Sequence, residues 1–569
     1  MRVFRLTAIF SLFCYTVAAY QYPVSGVKGL HSASFAEMRS NHFHSGIDIK
    51  TDGVEGKEIV ASEDGYISRV VYSAYGYGLA IYVTHPHKGT MTVYGHLKRF
   101  ADKIDKFVSE NRFATRSNNV DLQLKEGLFP VSKGEVIGYS GNTGNSFGPH
   151  LHYELRNQAG THTYNIVRRG LFQPKDNIPP RLLALHYIQV DTLQGVAIES
   201  APQRYLLKKV GTKYIVTDSV KIGRCGYFLI ECRDNQSDNY TNRFGVYRVS
   251  QSVNGECNFT YKIDSFAFAD SRLCNLVSYY PLQRGAKCEI IRLGCVSDAV
   301  AKFYTTLQDR GAIVTAVAEK KSIKIEVEDD CGNISTLCFD VVGDKGLTKV
   351  LPDNKAVVAG AGHRVDLSHI GVRTTIFPDA LYYPTFCSVE NCMDKDTIAD
   401  VVVLSNRCRI MDSNIPLQRV VYVSIDAKIP LHLQSRSCIA LKNRTGRYFY
   451  LGGYYAAGRV RVATRSIGEM CVVADTIAPK VQPLWSDKEN MRSKKGLEFQ
   501  ISDNFSGISK YDLYIDGKWF PLDFSPIKGI AYYNFDTTLP AGDNTQHSIE
   551  VHLKDNVGNI SQWSGTFYR

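Results

Sequence analysis

The sequence predicts a mostly β protein built from several compact units, the first of which carries an inserted helix. Three observations lead there. At 569 residues the chain is longer than one hydrophobic core serves. It holds 34 Tyr and 27 Phe, residues that suit pleated, half-buried surfaces. After residue 180, short alternating runs separated by Gly, Asn and Asp dominate, which is the pattern of strands joined by tight turns. A hydrophobic content of 44% with 22% charged residues is ordinary for globular chains and excludes a disordered or fibrous one.

The first nineteen residues read as a leader and not as part of a fold. Arg2 and Arg5 precede an apolar run from Leu6 to Ala19, and Val17-Ala18-Ala19 offers small residues for cleavage. The run falls short of the ~20 apolar residues that span a bilayer, so no stable transmembrane anchor is expected. Phe13 is too large for the small residue that precedes a lipidated cysteine, which argues against an anchor at Cys14. The 67 basic against 56 acidic residues suit an anionic polymer. No basic cluster with interleaved aromatics occurs, so nucleic acid is not an expected partner.

Within residues 20–177, three strand-like segments carry histidines. In His150-Leu151-His152 the side chains alternate, so both imidazoles point one way while Leu151 points into a core, followed by core residues Tyr153 and Leu155. Upstream, His44-Ser45-Gly46-Ile47-Asp48 places a histidine four residues before a carboxylate that stands opposite Ile47 and Ile49, with Gly46 permitting a bend. His44 and Asp48 can converge on one ion, and a catalytic zinc takes three such ligands with the fourth position left to water. Spacing alone leaves open whether His42 replaces His44, and whether His150 or His152 is the third ligand. Between them, Thr92, Tyr94 and His96 are expected to share a face, with Tyr94 more suited to packing than to substrate. His85 and His87 fall in a turn and are expected in solvent.

Together, His44-x-x-x-Asp48, Tyr94-x-His96 and Gly144-Asn145-Ser146 with His150-x-His152 resemble, in order and spacing, the zinc metallopeptidases of the lysostaphin and LytM type. The run Val131 to Gly144 and the glycine-punctuated stretch from Gly56 to Gly65 agree with that resemblance, which covers roughly residues 30–160. It implies an antiparallel β catalytic domain with an open groove floored by one Zn2+. It further implies His44, Asp48 and His152 as metal ligands, with His150 and His96 as the uncoordinated catalytic pair. A site of two neutral imidazoles and one carboxylate keeps net positive charge and acidifies water from about 15.7 toward about 7. The resemblance thus implies a bacterial endopeptidase acting on peptidoglycan in the periplasm or at the cell surface. The rival readings are a catalytically inactive wall-binding regulator of another hydrolase, as in degenerate relatives, and a general secreted protease. Every motif position is filled here, which disfavours the regulator.

The segment from Lys98 to Arg112 departs from a minimal domain of this kind. Phe100, Ile104 and Phe107 at helical spacing predict an inserted helix beside the groove. A proline-rich linker, Pro174 to Pro180, and a second at Asp475 to Lys480 divide the remainder of the chain. Units are expected at 178–342, 343–474 and 475–569. The runs Asp329-Asp330-Cys331-Gly332-Asn333 and Asp555-Asn556-Val557-Gly558-Asn559 each follow an alternating strand, and Asp234-Asn235 repeats the pattern more loosely. Such hairpins resemble those that close immunoglobulin-like β-sandwiches of exported bacterial proteins. Their Asp and Asn are assigned to turn chemistry in preference to calcium binding. The aromatic run from Tyr448 to Tyr455 is read as a buried strand, although sugar stacking is the alternative use of such rings. Eight cysteines lie between Cys225 and Cys338 and five between Cys387 and Cys471, without any C-x-x-C, which disfavours a zinc knuckle. These units are expected to bind wall or an envelope protein partner, or to orient the first domain.

Overall fold

The computed structural model describes residues 20–236, 242–345, 356–360, 362–392, 397–535 and 544–569; the leader at 1–19, with Cys14, lies outside them. The first domain is built on a twelve-stranded sheet. Its main path runs His31–Ala33, Ile47–Lys50, His150–Asn157, Thr90–Phe100, Leu79–His85, Gly65–Tyr72 and Pro130–Val131. The neighbours on this path are antiparallel. The histidine strand His150–Asn157 is central, flanked by the Asp48 strand on one side and the His96 strand on the other.

Alternation explains what each strand buries. Ile47, Ile49, Leu151, Tyr153 and Leu155 join Ile81, Val83 and Tyr94 in one apolar core, and the intervening polar residues face the other way. Gly46 is needed for a reason other than a bend: a Cβ there would stand 2.2 Å from the Tyr153 carbonyl oxygen, so the two strands approach too closely for any side chain.

Two local expectations about the histidine strands are corrected. Tyr94 and His96 do not share a face. Leu79 pairs with Leu97 and Ile81 with Tyr94, so the long strand carries one extra residue, and His96 takes the left-handed conformation at φ 61°. The bulge leaves Tyr94 in the core, where its hydroxyl accepts from Ser62 N at 2.8 Å, and turns His96 toward the other histidines. His85 is fully buried and bonds the Asp64 carbonyl and Thr92 Oγ1, because the strand runs through it before the turn begins. His87 is exposed as expected.

The inserted helix forms at Asp102–Thr115 (α1), since residues to Phe100 continue the strand. It buries Ile104 and Val108 against the first core. Its far end meets the last unit of the chain and not the groove. Phe113 packs edge-on against Trp519 and Phe520, and Arg112 Nη2 lies 2.6 Å from Asp523 Oδ1.

Behind the first domain, residues from Arg181–Leu193 to Ile334–Gly343 form a continuous thirteen-stranded sheet with a large core and a smaller apolar cluster of Ile188, Tyr227, Leu229, Tyr279 and Ile290. Phe35, Met38 and Phe43 of the first domain insert into that same core, so the stretch leading to His44 is anchored from outside its own domain. A five-stranded and a six-stranded sheet enclose the core of the third unit, and a four-stranded and a five-stranded sheet that of the last. The protein is mostly β, with sandwich-like paired sheets in the third and last units. In the aromatic run, Tyr454 and Phe449 are exposed and Tyr448 half-buried, so the strand there is a surface one and not the buried one expected. All thirteen described cysteines carry free thiols.

Candidate active site

Three of the residues singled out in the sequence meet within hydrogen-bond distance. Asp48 Oδ1 is 3.1 Å from His44 Nε2 and 2.9 Å from His152 Nδ1, and the two imidazole nitrogens are 3.1 Å apart. The hydrogen bonds behind them fix which nitrogens are bare. His44 Nδ1 donates to the Ser34 carbonyl at 2.7 Å, leaving Nε2 with its lone pair. His152 Nε2 donates to Glu154 Oε1 at 2.8 Å, which leaves Nδ1 as the nitrogen turned toward Asp48 and His44. Two imidazole nitrogens and a carboxylate oxygen therefore face one point. Such a trio calls for positive charge at its centre and fits a cation. A tetrahedral sphere with bonds of ~2.0–2.1 Å places ligands ~3.3 Å apart, close to what is seen, and nitrogen with carboxylate oxygen is a donor set that zinc accepts.

Electrostatics agree with a cation site. Burial raises the Asp48 carboxyl, but His44 and His152 together outweigh it and hold it well below the ordinary carboxylate range. Burial lowers His152, yet its bonds to Asp48 and Glu154 push it up to about 9 in the absence of an ion. His42 points away, exposed, with Nδ1 against the Ser40 carbonyl at 3.2 Å, so it does not share the cluster.

The other two histidines stand beside the trio. His150 Nε2 lies 3.6 Å from Asp48 Oδ1, and its Nδ1 donates to the Gly148 carbonyl at 2.8 Å. The His96 ring is 4.8 Å from that of His150 and 5.9 Å from that of His152, centroid to centroid. Its Nδ1 donates to the Thr143 carbonyl at 2.8 Å. Burial first, then the neighbouring His150 and His152, pull His96 down to about 3. The loop that supplies Thr143 is held by close backbone approach: a Cβ at Gly144, where φ is +71°, would stand 2.3 Å from Gly78 N.

Several supporting residues were not named from the sequence. Glu154 is fully buried and is shared by His152, Tyr77 Oη at 2.6 Å, Ser45 Oγ at 2.7 Å and the Arg156 guanidinium. It lies two residues beyond His152, so the alternation that pairs His150 with His152 marks it as well. Tyr77 stacks on His152 with centroids 4.7 Å apart, and nothing in its local sequence signals that role. Arg39 reaches Asp48 Oδ2 at 3.5 Å from the short strand Met38–Arg39, which no motif identifies.

Residues 42–123 and 113–164, which carry this cluster, match the model of peptidase family M23, and residues 369–475 match that of a Zu5-like domain. The first domain is thus an M23 peptidase domain, and the third unit carries a Zu5-like one. Over 112 residues the chain is 33% identical to an uncharacterized metalloprotease of Haemophilus influenzae, covering 20% of this chain and 18% of that protein. Over 113 residues it is 36% identical to the DD-carboxypeptidase/endopeptidase Mpg of Neisseria meningitidis serogroup B, covering 20% of each. The matched stretch spans about a fifth of these relatives' own length. Among solved structures, the catalytic domain of a variant of the prophage-encoded M23 protein EnpA from Enterococcus faecalis aligns at 24% identity and TM-score 0.18, covering 24% of this chain and 86% of that one. The catalytic domain of lysostaphin from Staphylococcus simulans aligns at 22% identity and TM-score 0.17, covering 23% and 80%.

Proposed function

We propose that the protein is an exported, zinc-dependent endopeptidase that hydrolyses peptide bonds in the cross-links or stem peptides of peptidoglycan. In this reading residues 20–177 are the catalytic domain and the units at 178–342, 343–474 and 475–569 orient it or bind wall or an envelope protein. The observation that carries the reading is the convergence of His44 Nε2, Asp48 Oδ1 and His152 Nδ1, with two further histidines alongside. The peptidase family match and a relative named as a carboxypeptidase/endopeptidase support it. Among the described residues no helix is long and apolar enough to cross a membrane.

Zinc bound by this trio supplies an acidified water and an electrophile for the scissile carbonyl. The chain supplies the proton handling. Because Nδ1 of His150 is committed to Gly148, its Nε2 carries a lone pair beside the cluster and accepts the proton of the attacking water. His96, whose Nδ1 is likewise committed to the Thr143 carbonyl, presents Nε2 from the other side and is assigned donation to the developing oxyanion or leaving amine once that nitrogen has taken up a proton, a role the two histidines can exchange. Glu154, locked by Arg156, Tyr77 and Ser45, keeps His152 in the tautomer that presents Nδ1.

The test is purified peptidoglycan treated with the mature protein. New amine ends are expected from wild type and not from His150→Ala, with mass spectrometry of the fragments identifying the bond cut. Equal cleavage by His150→Ala would remove the role assigned to it. Well-folded protein without about one zinc at this site would remove the metallopeptidase reading.

A further inference from the structure

Away from the histidine site, the described residues hold two carboxylate clusters assembled from the same three short motifs in the same order. Asp176-Asn177-Ile178-Pro179-Pro180 corresponds to Asp475-Thr476-Ile477-Ala478-Pro479. Asp234-Asn235 corresponds to Asp503-Asn504, and Asp329 to Asn333 corresponds to Asp555 to Asn559. In each set of three aspartates, one oxygen per residue lies within 4.8 Å of the other two.

The bonding around them repeats too. Asp176 Oδ1 accepts from Ile178 N at 2.9 Å, and Asp475 Oδ1 from Ile477 N at 3.2 Å. Asp329 Oδ1 accepts from Cys331 N and Asn333 N at 2.8 and 2.9 Å; Asp555 Oδ1 accepts from Val557 N and Asn559 N at 3.0 and 2.8 Å. The Asn333 and Asn559 amide nitrogens donate to the carbonyls of Asp176 and Asp475, tying each hairpin to the linker that precedes its unit. Turn chemistry therefore accounts for much of the pattern, as the sequence suggested.

It does not account for the oxygens left over. Asp234 is 3% exposed, and its Oδ1 has no partner. Around the second cluster, Asn559 at 2% exposure has an unpartnered Oδ1, and Ser506 at 3% has an unpartnered hydroxyl. Asp503 Oδ1 is unpartnered as well. Asn559 sits between Asp475 and Asp555 by its amide bonds, and Ser506 N donates to Asp475 Oδ2 at 3.1 Å, so both belong to the cluster. A buried acceptor with nothing to accept from is destabilising, and three carboxylates at this separation repel as well. Both penalties vanish when a cation is present.

We propose that these two clusters are calcium sites, each joining an inter-unit linker to the hairpin that closes the following β unit. The donors are all oxygen, from carboxylates with amide and hydroxyl groups beside the second cluster, which is the set a hard cation takes in flexible geometry. Zinc, favouring nitrogen and sulfur, is retained by the histidine cluster instead. The two ions stiffen the junctions at Asp176 and Asp475 and so fix how the β units carry the first domain.

The experiment is isothermal titration of CaCl2 into the zinc-loaded mature chain. Two calcium ions per chain are expected. Asp176→Asn and Asp503→Asn, at the less buried positions, should each lose one ion, leave zinc content unchanged and reduce the calcium-induced rise in unfolding temperature. Should either variant fail to fold, terbium luminescence on the wild-type chain, quenched by calcium in a two-site titration, reads the same property. No calcium uptake at millimolar concentration, or an undiminished count in both variants, overturns the proposal.

Discussion

The two histidines of His150-Leu151-His152 differ in what stands behind them, and the roles proposed for them rest on that difference. His152 is backed by buried Glu154, so its Nδ1 is presented to the cluster, whereas His150 is backed by the Gly148 carbonyl and presents Nε2 from the side. His152→Ala should therefore lose zinc, while His150→Ala should retain it and lose turnover; metal analysis of the two purified variants separates them. Glu154→Gln keeps an acceptor but removes the charge, and zinc affinity should fall roughly 10–100-fold in a chelator competition. An unchanged affinity would mean that Glu154 only fills space. This division was half legible in the sequence. Alternation puts His150 and His152 on one face, but the partner behind each ring is set by neighbours that strand period does not report. His96 shows the opposite limit: alternation assigns it to the face of Tyr94, and a single extra residue in the strand with φ 61° reverses that.

At the scale of elements, strands and the helix were readable because their periods are local, whereas what each packs against was not. Helix α1 is foreshadowed by Phe100, Ile104 and Phe107, yet its terminal Arg112 finds its partner 411 residues away. The segment that carries His44 is similar: Glu289, in the strand Glu289–Arg292, accepts from Met38 N at 2.9 Å and from Val246 N at 3.0 Å, clamping the approach to the site against the second unit. Burial pushes Glu289 up to about 7 from an ordinary 4.5, against the lowering effect of those two bonds. A carboxyl raised in the folded state favours the protonated fold, so its contribution is complete below about pH 4.5 and is lost as pH rises through 7. Glu289→Gln is neutral throughout but turns an amide N–H against one of the two backbone donors, so it should be less stable than wild type at pH 5. The gap should narrow by about 3 kcal/mol by pH 8, as read by urea unfolding of both proteins. A constant gap would show that Glu289 does not titrate in that window.

Across the whole molecule, the last unit returns to the first. Arg112, 6% exposed, lies over the Tyr72 ring at 3.9 Å and pairs with Asp523, while Asn118 Oδ1 accepts from Leu522 N at 2.8 Å. The second unit holds the third through Tyr382 Oη on the Arg272 carbonyl, and the third holds the fourth through Asn504 on the Asp400 carbonyl, so the chain closes on itself. The last link of that circuit rests on a buried ion pair, and removing one partner of such a pair typically costs ~3–5 kcal/mol because the other charge stays behind. Asp523→Arg places two guanidinium groups together at the contact and should release the last unit from α1. A larger radius of gyration by X-ray scattering and faster proteolysis near Asp475 to Lys480 are the expected signs. The exchange Arg112→Asp with Asp523→Arg restores opposite charges and should recover much of the compact form, less the contact that Arg112 makes with Tyr72. A radius unchanged by Asp523→Arg would mean that Phe113 with Trp519 and Phe520 suffices to hold the two ends together.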